Sequence, residues 1–447
     1  MAACRMTGVV CFALPAQAGL SRAIRPSAAA YAVEERQARL IARRPSMGIP
    51  RPIGGALLAV LLSTTACGGT EPSASPATAT SAAEGRCVTS YDANTDYFPV
   101  KQTLTHAVNF TLTYAKNYQV VTVKQPAPGA KPETYVLVRC GTPAPELTGE
   151  LAGAVTVETP IESLYSASTT HLPFVTELGA LDRLKAVASA GQITSPEVLA
   201  RVKSGAITEY ASGKEVDTEK VIGAKPDVLM TQGTEDKAYG PLRQAGIKVV
   251  ANAEWLESTA LGRAEWIKLM AALTGTEATA NEVFGKIESD YTTLAAKAKA
   301  ATPVTVLPGQ MYQGQWYMPN GGSYVAGLIK DAGGTYPWAG TSGSGSSTLD
   351  LEAVLAKAKD AKVWLANVNE WTTLGDVKKS DARYATFAAY GTGEVWSANK
   401  VIGPGGGNDY WERGVGRPDL VLGDLVAILH PDLAPGHEFA FYQKMTK

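Results

Sequence analysis

Histidine is scarce in this chain of 447 residues, with four, at positions 106, 171, 430 and 437. A site for free Zn²⁺ or Mn²⁺ needs several histidines beside its carboxylates, so uptake of a bare metal ion does not fit. The nucleophile elbow Gly-x-Ser-x-Gly is missing, even from the Ser/Gly-rich stretch 340–347, and so is His-Glu-x-x-His. With so few His and Cys, a secreted hydrolase has little from which to build a general base or a nucleophile. Positive charge is in deficit as well. The whole chain carries 41 basic and 42 acidic groups; residues 1–66 hold eight Arg and two Glu, leaving 33 against 40, a net of −7. Such a surface lacks the basic face that nucleic-acid binding requires. The apolar run from Ile53 to Leu62 falls short of the ~20 residues of a membrane-spanning helix.

That short run has a context. Met47-Gly48-Ile49-Pro50-Arg51 precedes it, Ser63-Thr64-Thr65-Ala66 follows, and then comes Cys67. A basic start, a short apolar core and small residues before a cleavage point make a secretory signal. With Cys at that point, residues 47–66 resemble a bacterial lipoprotein signal, in which the Cys is lipidated and becomes the new N-terminus. Thr64 departs from the pattern, since Leu is commoner there; a short anchor or buried helix is the alternative. The resemblance implies a lipid-anchored protein at the cell membrane, facing away from the cytoplasm. Residues 1–46 are a doubtful leader, and translation is expected to start at Met47. Residues 67–85, rich in Ser, Thr, Ala, Pro and Glu, form an extended linker.

Of five cysteines, Cys4 and Cys11 fall in the leader and Cys67 is the lipid site. The remaining pair, in an exported chain, predicts a Cys87–Cys140 disulfide stapling the first β-rich segment onto the body, with two buried free thiols as the alternative.

Residues 86–154 read as a β-rich extension: Val108 to Tyr114 alternates apolar and polar residues, and Tyr118 to Val123 and Tyr135 to Val138 are β-branched or aromatic. From 155 to 276 strands and helices alternate, the signature of an α/β lobe with a parallel sheet. The strand Val155-Thr156-Val157 leads to the loop Ser166 to His171; a helix headed by Asp217 leads to the strand Val228-Leu229-Met230. Over 277–300, Ala280, Val283, Phe284, Ile287, Tyr291, Leu294, Ala295 and Ala298 recur at helical spacing, predicting a connecting helix about 36 Å long. Residues 301–447 form a second α/β lobe. Asp350, Glu352 and Val354 before the strand Val363-Trp364-Leu365 echo Asp217, Glu219 and Val221. Two parallel-sheet lobes joined by one long helix, with an N-terminal β-rich extension, is the economical reading.

Several blocks carry a resemblance: Ser168-Thr169-Thr170-His171-Leu172-Pro173 with Leu178 to Arg183, Lys225-Pro226-Asp227-Val228-Leu229, Ala245 to Val249, Gly262 to Ile267 and Asn408 to Arg413. Their order and spacing over roughly 155–435 are similar to the iron-siderophore and vitamin B12 class of ABC-transporter substrate-binding lipoproteins. The resemblance implies a non-enzymatic protein with no cofactor of its own, holding a ferric siderophore, or else haem or cobalamin, between its lobes and delivering it to an ABC permease. A non-transport surface receptor on the same fold, or a hydrolase, is the alternative.

A bulky, partly aromatic chelate calls for flat aromatic walls, hydrogen-bond donors and a cation. The candidate ligand-binding residues are Thr169, Thr170 and His171 after a first-lobe strand; Trp255; Tyr312, Trp316, Tyr317, Trp338 and Trp371 in Gly-rich or polar stretches; and Asn408, Tyr410, Trp411 and Arg413 behind the loop Gly403 to Gly407. Each Trp has a core role as its alternative, and Trp364 and Trp396, within strands, are assigned to the core. Arg413 could meet an anionic catecholate, or could pair with Glu412 or Asp409 instead. Glu235 and Asp236 match the place where the resembling proteins carry an acid for permease docking.

Overall fold

A computed structural model describes residues 86–447 apart from Lys214. The doubtful leader, the signal, the Met47 start, Cys67 and the linker through residue 85 lie outside the described residues.

The first sheet has four strands in chain order, Phe110–Tyr114, Tyr118–Val123, Glu133–Arg139 and Val155–Thr159. The first three pair antiparallel, and the fourth joins in parallel. Val155–Thr159 therefore belongs to the extension, and the first lobe's own sheet opens later, at Leu164–Ser166. One face of the extension sheet contributes Phe110, Val121, Val123, Tyr135 and Leu137 to the core of the first lobe, where Phe110 lies 4.6 Å from Trp266.

Two carboxylates fasten the extension. Glu265, fully buried, accepts the backbone N–H groups of Thr105, His106 and Ala107 and the Lys268 ammonium, at 2.6–3.1 Å. Glu257 accepts Val108 N, Asn109 N and Trp266 Nε1. Cys87 and Cys140 form a disulfide. Both ends lie within the extension, so the bond ties the segment at Cys87 back to its own sheet. The expected staple between extension and body is supplied by the two glutamates and the shared core instead.

The first lobe has five parallel strands in the order Val249–Ala251, Val228–Thr231, Leu164–Ser166, Leu184–Val187, Thr208–Glu209. Side chains alternate across it: Leu164, Val228, Met230 and Val250 enter one core, Tyr165, Leu229 and Val249 the other. Both faces are covered, as a parallel sheet requires.

The second lobe repeats the arrangement. Its order is Gly334–Thr335, Val304–Pro308, Val363–Ala366, Val395–Ser397 and then Gln443–Lys444, only the last antiparallel. In each lobe the first strand is flanked by the strand that follows an Asp-capped helix. Asp217 accepts Lys220 N ahead of Val228–Thr231, and Asp350 accepts Ala353 N ahead of Val363–Ala366. The two Asp-x-Glu units thus occupy equivalent places in their sheets.

Between the lobes runs the helix Glu277–Lys299. Its buried residues divide by position: Ala280 and Phe284 enter the first lobe's core, Ile287, Tyr291 and Ala298 the second's. It packs against Ile267–Thr274 of the first lobe and Pro418–Leu429 of the second. Among the described residues no helix is long and apolar enough to cross a membrane.

Candidate functional site

In an open α/β sheet, ligands lie beyond the C-terminal ends of the strands, where the strand order reverses. Here both sheets reverse beside their first strand, and the loops leaving those strand ends face one another across a cleft of about 380 Å³. Thr169 and Gln192 line it from the first lobe, and Gln310, Tyr312, Asn367, Asn369, Glu370, Asn408 and Trp411 from the second. A recess of about 230 Å³ continues it into the first lobe past Ser168, Ser189 and Gln232, sharing Thr169 and Gln192.

The first-lobe wall rests on a short turn. Ser168 Oγ accepts Thr170 N, which turns the chain so that Thr169 stands in the cleft. Thr170 is tied to Ser168 Oγ at 2.9 Å and does not line the cleft. His171 is fully buried, with Nδ1 2.9 Å from Ser166 Oγ, and burial pushes its pKa down to about 3. It is a neutral strut of the strand end rather than a ligand-facing group. Trp255 is 41% exposed and donates its indole N–H to the carbonyl of Gln232, which fixes it at the rim of the recess.

On the second lobe an amide network forms the wall. Gln310 brackets Asn367, accepting its N–H and donating to its carbonyl. Asn408 donates to Asn367 Oδ1, Asn369 Oδ1 and the carbonyl of Ala398, while its Oδ1 accepts Tyr410 N. Tyr312 (62% exposed) and Trp411 (44%) stand over this network as aromatic lips. Tyr317, exposed, sits 6.3 Å from Tyr312 on the same hairpin, outside the lining.

Three of the expected aromatic ligands are core residues. Trp316 is sealed from solvent, donates to the carbonyl of Pro308 and stacks on Trp364 at 5.7 Å. Trp371, buried, packs edge-on against Trp364 and donates to Ser380 Oγ. Trp338 is buried with the Lys357 ammonium over its ring. Apolar area decides these positions, and for Trp316 and Trp371 the one N–H of the fused ring finds an acceptor. Tyr410 is also buried, and lines an apolar recess of about 180 Å³ that shares Gln310, Asn367 and Trp411 with the cleft.

The glycine loop and the residues behind it fasten lobe to lobe. A Cβ on Gly403, Gly405 or Gly407 would lie 2.4, 2.1 or 1.9 Å from the carbonyl oxygens of Ile193, Gly191 and Gln192, so backbone rests directly on first-lobe backbone. Glu412, buried, accepts Thr194 N at 2.7 Å and Ser195 N at 3.0 Å. Burial raises its pKa, although those two N–H groups pull the other way. Asp409 accepts Thr194 Oγ1 and Arg413 Nε, and the Arg413 guanidinium lies 4.9 Å over the Phe441 ring. Arg413 thus pairs with Asp409 through Nε and does not line the cleft or its recess. Nearby, Arg263 of the first lobe pairs with buried Glu254 and stacks on Tyr324 of the second at 4.4 Å.

Glu235 is exposed in the loop after Val228–Thr231; Asp236 turns back to accept Ala238 N. Neither lines the cleft. Gln192, Gln232, Gln310, Asn367, Asn369 and Glu370 were not singled out in the sequence. Their signal is positional, since each follows a parallel strand or the short turn beyond it.

A family model described as periplasmic binding protein matches residues 167–400, just over half the chain, and the chain belongs to that family of non-enzymatic solute-binding proteins of ABC transporters. Among curated relatives, an uncharacterized lipoprotein of Methanocaldococcus jannaschii is 34% identical over 246 residues, which cover 54% of this chain and 56% of that protein. A second uncharacterized lipoprotein of the same organism is 23% identical over 264 residues, 56% of this chain and 65% of that one. The chain thus spans less than two thirds of the length of either. Among solved structures, a periplasmic heme binding protein from Pseudomonas aeruginosa is similar in fold, with a TM-score of 0.50 at 16% identity over 64% of this chain and 99% of that chain. A periplasmic vitamin B12 binding protein of Vibrio cholerae has a TM-score of 0.47 at 17% identity, covering 62% of this chain and 99% of that one.

Proposed function

We propose that this chain is the extracytoplasmic substrate-binding component of an ABC importer. Lipid on Cys67 tethers it to the membrane, and it captures a ferric siderophore or similar metal chelate in the cleft for delivery to the permease. One observation carries this reading: exposed Trp411 and Tyr312 line a groove formed where both sheets reverse, and on the other lobe exposed Trp255 is bonded to Gln232 of the adjoining recess. Flat walls over a ring of hydrogen-bonding groups suit a bulky chelate better than a sugar or an ion. Glu235, exposed on the first lobe, is the acid we assign to permease docking, with Asp236 shaping its loop.

Titrating the chain with ferric siderophores, haem and cobalamin tests this directly, reading Trp emission from the exposed indoles. Quenching with a Kd of about 1 µM or below is expected for at least one chelate. Failure of all of them to bind below about 100 µM would overturn the assignment.

A further inference from the structure

We infer, on the basis of that function, that the cleft is built for an uncharged or cationic, amide-bearing chelate and discriminates against anionic ones. Among the described residues lining the cleft and its first-lobe recess there is no Lys, Arg or His. Their one side chain charged at neutral pH is Glu370, which is exposed and makes no hydrogen bond or ion pair with any described residue. Two cations stand two residues from the lining in sequence: Arg413 bonds Asp409 and lies over the Phe441 ring, and Lys185 donates to the carbonyl of Asp182.

What the walls do offer is neutral. The side chains of Thr169, Gln192 and Gln232 have no hydrogen-bond partner among the described residues, and Asn367 keeps its Nδ2 donor free. A ferric tricatecholate carries three negative charges and haem two carboxylates; the cost of stripping water from several charges at once is offset best by a cation, and this wall supplies none. A ferric trihydroxamate is charge-neutral and presents amide-like groups that match free Gln and Asn side chains. A cationic arm would add attraction to Glu370 and to the faces of Tyr312 and Trp411.

The test titrates the chain with an uncharged ferric trihydroxamate, the same chelate bearing a free amine, a ferric tricatecholate, haem and cyanocobalamin at fixed ionic strength. The uncharged or amine-bearing amide chelates should bind about 100-fold tighter than the tricatecholate or haem. Glu370→Gln should lower the ratio of cationic to neutral affinity about 3-fold, as an exposed charge does. Gln232→Lys should narrow the gap to the tricatecholate about 10-fold. Tricatecholate or haem binding as tightly as the neutral chelates overturns the charge assignment and leaves the importer reading standing. Binding of no chelate, of any charge, overturns both.

Discussion

Replacing Glu265 by Ala should release the β-rich extension from the first lobe. The carboxylate holds three consecutive backbone N–H groups, from Thr105 to Ala107, and the buried Lys268 ammonium at 2.6 Å. Burial alone would raise its pKa; those donors outweigh burial and hold it below the ordinary glutamate value. Removing it strands a buried cation and three N–H donors. Breaking a buried pair costs about 3–5 kcal/mol, and orphaned donors add to that, so about 4 kcal/mol is a low estimate. That is a large share of a typical folding free energy. Urea unfolding followed by far-UV circular dichroism reads the loss, and hydrogen exchange of Thr105 to Asn109 locates it. Because the folded pKa lies below the unfolded one, the wild-type contribution is present above the unfolded value, near 4.5, and fades as pH falls through the folded value. Glu265→Ala should lack that acid-side loss. A variant with wild-type stability and unchanged exchange at Thr105 to Asn109 would refute the reasoning.

Three further outcomes are expected. Gly407→Ala forces a Cβ to within 1.9 Å of the Gln192 carbonyl, so hydrogen exchange at Gly191 to Ser195 should rise and chelate affinity should fall about 10-fold as the lobes part. Glu412→Gln should remove a stability increment of opposite pH sign. The raised pKa of Glu412 means that its increment is complete below about 4.5 and disappears as pH climbs through the folded value, so the gap between wild type and variant should shrink over that window in urea titrations. Reducing the Cys87–Cys140 bond should cost about 4 kcal/mol or less while leaving chelate binding intact, because both cysteines sit in the extension, away from the cleft; lost binding would contradict that layout.

Much of the fold could be read from local pattern. Ala280, Phe284, Ile287, Tyr291 and Ala298 are apolar at helical spacing and are buried along Glu277–Lys299. Asp217 and Asp350 announced helix starts because a cap bonds only to its own first turn. Site residues were less legible. Trp316 and Tyr317 are neighbours in one polar, Gly-rich stretch, yet the antiparallel pairing of Gln315–Pro319 with Ser346–Leu349 turns the first inward and the second outward. For Arg413 the sequence left open an anionic ligand or a pair with Glu412 or Asp409, and the fold set Asp409 beside it and Phe441 beneath it.

The sequence by itself determined the class of protein, the alternation of strand and helix and the matching Asp-headed units, because these rest on residues a turn or a strand apart. The tertiary structure decided which aromatics edge the cleft, that the glycine loop joins lobe to lobe, and that the groove is walled by amides. Those outcomes depend on partners such as Thr194 and Glu412, brought together by lobe packing across more than half of the described chain. Neither residue's local pattern carries any trace of the other.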